Sequence, residues 1–177
     1  MKFVSIFALF VSFIVSAQPN TEVYVLDLER SDTTFSVSNL QNITNNEGYD
    51  NQPSFIDNNK VLYAGSENGQ TEIQYYHLST NTTRRINAPT SGGEYSPRLM
   101  PNGTQVAAVR LDTTGLQRLY AYDLSTSKNG NPEMLLSDLE VAYYDFYDED
   151  WLVASVLSGD RLDLVIANVP NDEAGIY

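Results

Sequence analysis

An all-β fold assembled from repeated four-stranded antiparallel units is what this 177-residue sequence predicts, and three observations carry the prediction. One strand pattern recurs four times at a nearly constant period. Shorter β-prone runs, separated by turn-forming residues, precede its later copies. Beyond the first segment no stretch keeps a 3.6-residue apolar period, so no helix is expected there.

The chain opens with Met1-Lys2, then a run from Phe3 to Val15 that is apolar except for Ser5 and Ser12. That run is too short to span a hydrocarbon core, which takes roughly 20 residues. Val15-Ser16-Ala17 follows, with small residues where a signal peptidase requires them. The expectation is a secretory signal peptide over 1–17, cut after Ala17, and a periplasmic or secreted mature chain with no membrane span.

The recurring strand reads Val23-Tyr24-Val25-Leu26-Asp27-Leu28, then Ile73-Gln74-Tyr75-Tyr76-His77-Leu78, Leu119-Tyr120-Ala121-Tyr122-Asp123-Leu124 and Leu164-Val165-Ile166-Ala167-Asn168-Val169, at spacings of 50, 46 and 45 residues. Ahead of the last three copies lie Val61-Leu62-Tyr63-Ala64, Val106-Ala107-Ala108-Val109 and Leu152-Val153-Ala154-Ser155. Gly-containing turns at Asn68-Gly69, Thr114-Gly115 and Ser158-Gly159 join each pair, since Gly supplies the positive φ of tight hairpins. A shorter opening strand precedes these, in Gln52–Ile56, Ser96–Met100 and Tyr144–Tyr147, turning through Asp57-Asn58-Asn59, Pro101-Asn102-Gly103 and Asp148-Glu149-Asp150. Thr83–Ile86 and Glu133–Leu136 supply a fourth, more polar strand.

Four short strands per roughly 45 residues is the period of a β-propeller blade. The resulting division is an outer half-blade over 21–44 and blades over 49–87, 93–136 and 139–169, all within an 18–177 propeller region. Inner strands that pack on both faces also explain continuous apolar runs such as Val106–Val109.

The balance of 23 acidic against 10 basic residues, a net charge of −13, argues against a nucleic-acid partner. The absence of cysteine excludes disulfides, thiolate metal sites and a cysteine nucleophile. His77 is the sole histidine, and it stands in the column held by Asp27, Asp123 and Asn168, which marks it as a turn-stabilising polar residue. The acidic run Asp145, Asp148, Glu149 and Asp150 lacks the spacing of a calcium loop and reads as a solvated hairpin turn. No Gly-x-Ser-x-Gly elbow or phosphate-cradling glycine loop occurs. No catalytic residue, metal site or cofactor is therefore expected.

What remains is the start of each inner strand. In a propeller these starts converge at the mouth of the central channel. Tyr49, Asp50, Gln52, Glu94, Tyr95, Arg98, Tyr143 and Asp145 are the candidate ligand-binding residues there. Aromatic faces beside carboxylates and amides suit a basic or sugar-like ligand, or a protein partner presenting one.

These residues resemble the TolB-type β-propeller repeat, a relative of WD-type repeats. Its Pro-x-aromatic-Ser-Pro-Asp-Gly element is echoed by Gln52-Pro53-Ser54-Phe55-Ile56-Asp57-Asn58 and Ser96-Pro97-Arg98-Leu99-Met100-Pro101-Asn102-Gly103. Its Ile-Tyr-x-x-Asp-Leu strand is echoed by the copies above, and its Leu-Thr ending by Asn42-Ile43-Thr44. The third unit departs from it, with Tyr144 and Asp145 where Pro and its neighbour stand elsewhere. The resemblance implies six blades, so about three and a half blades are expected here, as the N-terminal part of a longer protein. It also implies periplasmic residence and contacts with envelope proteins such as a peptidoglycan-associated lipoprotein. The function expected is thus an exported, non-catalytic propeller that binds a partner protein or extracellular ligand. The alternatives are the substrate-gating propeller of a prolyl-oligopeptidase-like serine peptidase, or a propeller hydrolase or lyase with its site in the channel.

Overall fold

A computed structural model describes residues 20–125 and 131–176. The expected signal peptide lies outside the described residues. Within them the chain is built of strands and turns, and no helix is long and apolar enough to cross a membrane.

The first sheet element is a hairpin of β1 (Tyr24–Arg30) and β2 (Phe35–Asn42). Three four-stranded sheets follow, each a meander in chain order. The first sheet holds β3 (Asp50–Asp57), β4 (Lys60–Glu67), β5 (Gln70–His77) and β6 (Thr82–Arg85). The second holds β7 (Gly93–Leu99), β8 (Gln105–Leu111), β9 (Gln117–Asp123) and β10 (Glu133–Leu135). The third holds β11 (Val141–Phe146), β12 (Trp151–Ser158), β13 (Arg161–Asn168) and β14 (Glu173–Ile176). All strand pairs within the sheets are antiparallel. β14 is a strand that the sequence pattern did not mark. It pairs Ala174 with Ala167 and Gly175 with Ile166, so edge hydrogen bonding, not an apolar signature, makes it a strand.

The turns follow from residue chemistry. Between β4 and β5, Glu67 pairs with Gln70, leaving Asn68 (φ 54°) and Gly69 (φ 82°) as a two-residue loop. Two consecutive positive φ values define the turn whose twist matches paired strands. The loops that leave the inner strands are closed by side-chain oxygens that accept from backbone amides. Asp57 Oδ1 accepts from the Asn59 amide, Asn102 Oδ1 from Thr104 and Gln105, and Asp148 Oδ1 from Asp150 and Trp151. The acidic run is thereby a capped hairpin turn, and among the described residues no three-ligand metal cluster occurs.

Three core clusters alternate with the sheets. Val23 and Ile43 of the hairpin pack on Val61, Tyr63 and Tyr76 of the first sheet. Leu62, Ile73 and Ile86 of the first sheet meet Val106, Ala108 and Tyr122 of the second. Ala107, Val109, Leu119 and Ala121 of the second meet Val141, Tyr144, Leu152, Ala154 and Val165 of the third. β8 thus sends even-numbered residues to one neighbour and odd-numbered residues to the other, which is why its apolar run does not alternate. The alanines let the sheets approach closely along this stack. β7 packs against β3, β4 and β5, and β11 against β8 and β9, so the inner strands lie side by side. The architecture is a partial all-β propeller.

Candidate functional site

The site is set by how each inner strand begins. Gln52 (φ 54°) and Ser96 (φ 52°) each adopt a left-handed backbone directly before a proline. A residue before proline normally stays extended, so this geometry is strained and persists only because its surroundings hold it. At both positions the ladder slips, between Asn51 and Ser54 and between Tyr95 and Arg98. The third inner strand slips too, between Val141 and Tyr143. Such bulges re-aim side chains. Here they carry Gln52 across to the next sheet, where its Oε1 accepts from the Ser96 amide at 2.8 Å. The same seam is stitched by Ser54 Oγ donating to the Pro97 carbonyl at 2.6 Å. Between the second and third sheets the buried Tyr144 hydroxyl lies 2.9 Å from the Ser96 carbonyl and 2.7 Å from the Ala107 carbonyl.

The eight sequence-predicted residues divide into three groups. Gln52, Tyr95 and Tyr143 line one cleft of about 250 Å³, together with Ser96, Val109 and Gln117. Tyr49 meets Tyr95 edge to face at 6.1 Å and 65°. The cleft therefore presents tyrosines from the second and third sheets, with Tyr49 of the first blade packed behind Tyr95, and Tyr143 is 61% exposed. Burial, and secondarily the neighbouring Tyr95, pushes the Tyr49 hydroxyl above its ordinary pKa, so it remains a neutral donor. Arg98 and Asp145 form the second group, a solvent-exposed pair at 3.7 Å joining the second and third inner strands. In high dielectric such a pair contributes little energy.

Asp50 and Glu94 form the third group, and both are buried, not open to a ligand at the rim. Asp50 Oδ1 accepts from the Ser66 amide at 3.2 Å, and burial raises its carboxyl pKa against that bond. Glu94 accepts from Thr90 Oγ1 at 2.8 Å, Asn87 Nδ2 at 3.0 Å and the Tyr122 hydroxyl at 3.2 Å. Each stands three residues ahead of its sheet's proline, Pro53 or Pro97. In the third sheet Val141 fills the corresponding place, fully buried. A wholly apolar residue substitutes there, which marks the position as one for interior packing.

Sequence reasoning missed Glu72, Asn87, Thr90 and Tyr122, which surround Glu94. The available signal was the Asp50/Glu94/Val141 column, because a charge where a repeat elsewhere has valine needs partners. His77 sits at the opposite end of β5 from the rim. Its Nδ1 is 3.2 Å from Ser79 Oγ and its Nε2 3.3 Å from Asn59 Nδ2. Asp123 holds Ser125 in the same i to i+2 relation, accepting from its amide and hydroxyl at 2.8 Å. Of Ser79 the histidine holds only the hydroxyl, while Asn59 Oδ1 takes the Ser79 amide at 2.9 Å, a backbone task that Asp123 performs itself in the next blade.

No protein-family model matches the chain, and no curated protein matches it in sequence. Solved structures do match in shape. TolB from Acinetobacter baumannii superposes with a TM-score of 0.66 at 21% identity, over 86% of this chain and 40% of that one. A putative TolB from Agrobacterium tumefaciens gives 0.64 at 13% identity, over 80% of this chain and 54% of that one. A puromycin-hydrolyzing peptidase from Mycobacterium tuberculosis gives 0.59 at 13% identity, over 79% of this chain and 22% of that one. The chain spans about half or less of the length of each. With four strands per sheet, inner strands side by side and these neighbours in shape, the chain has the TolB-type β-propeller fold.

Proposed function

We propose that this chain is the N-terminal part of an exported, periplasmic or secreted propeller that binds a protein partner or extracellular ligand at the rim formed by Tyr49, Gln52, Tyr95 and Tyr143, without performing chemistry there. The observation that carries the reading is one cleft lined by Gln52, Tyr95 and Tyr143 from three successive inner strands, with Tyr49 packed on Tyr95, beside two strained pre-proline residues. Strain of this kind accumulates where side-chain placement matters. Tyrosine offers a large rigid contact surface with a polar tip, suited to protein or sugar recognition. The net charge of −13 favours a basic partner and speeds encounter with it at low salt.

The likeness to a peptidase structure supports a second reading, in which the propeller gates access to a serine hydrolase. Labelling of the full gene product by a fluorophosphonate probe separates the two, since only the hydrolase reacts. For the leading reading, calorimetric titration with an arginine- and lysine-rich peptide, and separately with a neutral oligosaccharide, tests the rim. One of the two should bind, and Tyr95→Ala or Tyr143→Ala should weaken it by about tenfold, the scale of an aromatic anchor. Binding that is absent from the wild type, or unaltered in both variants, overturns the assignment.

A further inference from the structure

Two buried carboxyl groups face each other across the seam between the first and second sheets. Glu72 of β5 is 2% exposed and Glu94 of β7 is fully enclosed. The Asn87 amide lies between them, its Nδ2 donating to Glu72 Oε2 at 2.5 Å and to Glu94 Oε2 at 3.0 Å. Its Oδ1 meanwhile accepts from the Ile73 amide at 3.0 Å, fixing the side chain to the first sheet. Thr90 and Tyr122 hold the other Glu94 oxygen. One amide nitrogen thus brings both carboxyls within reach of a single shared proton.

The charged groups turned toward the pair are Glu67 from β4, Arg85 from β6 and, across Tyr122, Arg110 from β8. Arg85 favours the ionised form of Glu72 but is itself engaged by Glu67 at 3.2 Å, and burial still raises the Glu72 carboxyl pKa. Two carboxylates held on one amide nitrogen in a buried seam repel strongly, and only one ionises readily. A cavity of about 500 Å³ reaches Asn87, Thr90 and Tyr122 and gives the proton a route to water.

We propose that Glu72 and Glu94 are a proton-sharing latch between the first and second sheets, closed while the pair keeps one proton and loosened when both carboxyls ionise. In the closed state Glu94 carries the proton and donates it to the Glu72 carboxylate. On loosening, that proton leaves to solvent and the hydrogen bond between the carboxyls is lost. Burial first, and then the charge of Glu72, pushes the Glu94 carboxyl up to about 7, so the transition lies near neutrality. The folded chain then holds more protons than the unfolded chain between the ordinary carboxyl value of 4.5 and about 7. Stability from this group is complete below that window and declines as pH rises through it. The latch is independent of what the rim binds.

Its test uses the full chain. Infrared difference spectra between about pH 5 and about pH 9 should show a protonated-carboxyl band disappearing with a midpoint near 7, and Glu94→Gln should remove that band. Hydrogen exchange at the Ile73 amide, corrected for intrinsic base catalysis, should rise about fivefold across the same transition in the wild type. In Glu94→Gln it should stay flat, because the amide supplies a permanent donor to Glu72. Should that variant not fold, the two wild-type measurements decide by themselves. A band absent at about pH 5, or corrected exchange that is indifferent to pH, overturns the proposal, as does a Glu94→Gln chain that keeps both transitions.

Discussion

At the scale of single residues, identical backbone tasks are met by different side chains. Asp123 closes its turn by accepting from the Ser125 amide and hydroxyl, and one sheet earlier Asn59 accepts from the Ser79 amide while His77 contacts the Ser79 hydroxyl. Asp123→Ala should therefore cost about 1 kcal/mol in urea unfolding, the usual worth of a lost side-chain hydrogen bond. His77→Asp should change the midpoint little, since it restores the residue that the repeat uses elsewhere. A buried donor behaves differently. The Tyr144 hydroxyl shares its one proton between the Ser96 and Ala107 carbonyls. Tyr144→Phe should lower stability by about 1–3 kcal/mol through unsatisfied buried carbonyls, measured by the same unfolding curves. Burial, the largest influence on it, holds that hydroxyl protonated far into the alkaline range.

At the scale of elements, a strand's apolar pattern reports how many of its faces are covered. β8 is buried on both faces between two core clusters. β12 alternates instead, with Leu152, Ala154 and Val156 buried and Trp151, Val153 and Leu157 exposed. Leu152→Ala removes a fully buried side chain from the largest cluster and should cost about 2–5 kcal/mol. Val153→Thr on the open face should be close to neutral, and thermal unfolding of the two variants checks the contrast. The hairpin between β4 and β5 depends on Gly69 at φ 82°. Gly69→Val should destabilise by about 1 kcal/mol or more, because a β-branched residue resists a left-handed backbone.

At the scale of the whole molecule, the stack of sheets ends in two apolar faces. One is the outer side of the β1–β2 hairpin, with Leu26, Leu28, Phe35 and Val37 exposed. The other lies on β12 and β13, where Trp151, Leu162, Leu164 and Ile166 are exposed. Contiguous apolar surface of this kind drives association. Residues 18–177 produced alone should self-associate in sedimentation velocity, and a Leu164→Lys, Ile166→Lys double variant should shift the distribution toward monomer. A monodisperse wild-type monomer would show that these faces do not attract partners.

The strands other than β14, the turns and their repetition were legible in the sequence, because those depend on neighbours in the chain. Gly69 and Asp57 act on residues within a few positions of themselves, and the four-strand period is written in their spacing. The sequence also placed Gln52, Tyr95 and Tyr143 at the start of inner strands. Tertiary structure alone decided which of those side chains face outward. Asp50 and Glu94 precede their prolines by the same three residues and have the composition of binding groups, yet the bulges turn them inward. Glu72 and Glu94 lie 22 positions apart in sequence, and only sheet packing makes them share a proton. A register slip of one residue reverses the face of a β side chain, and no local pattern encodes that choice.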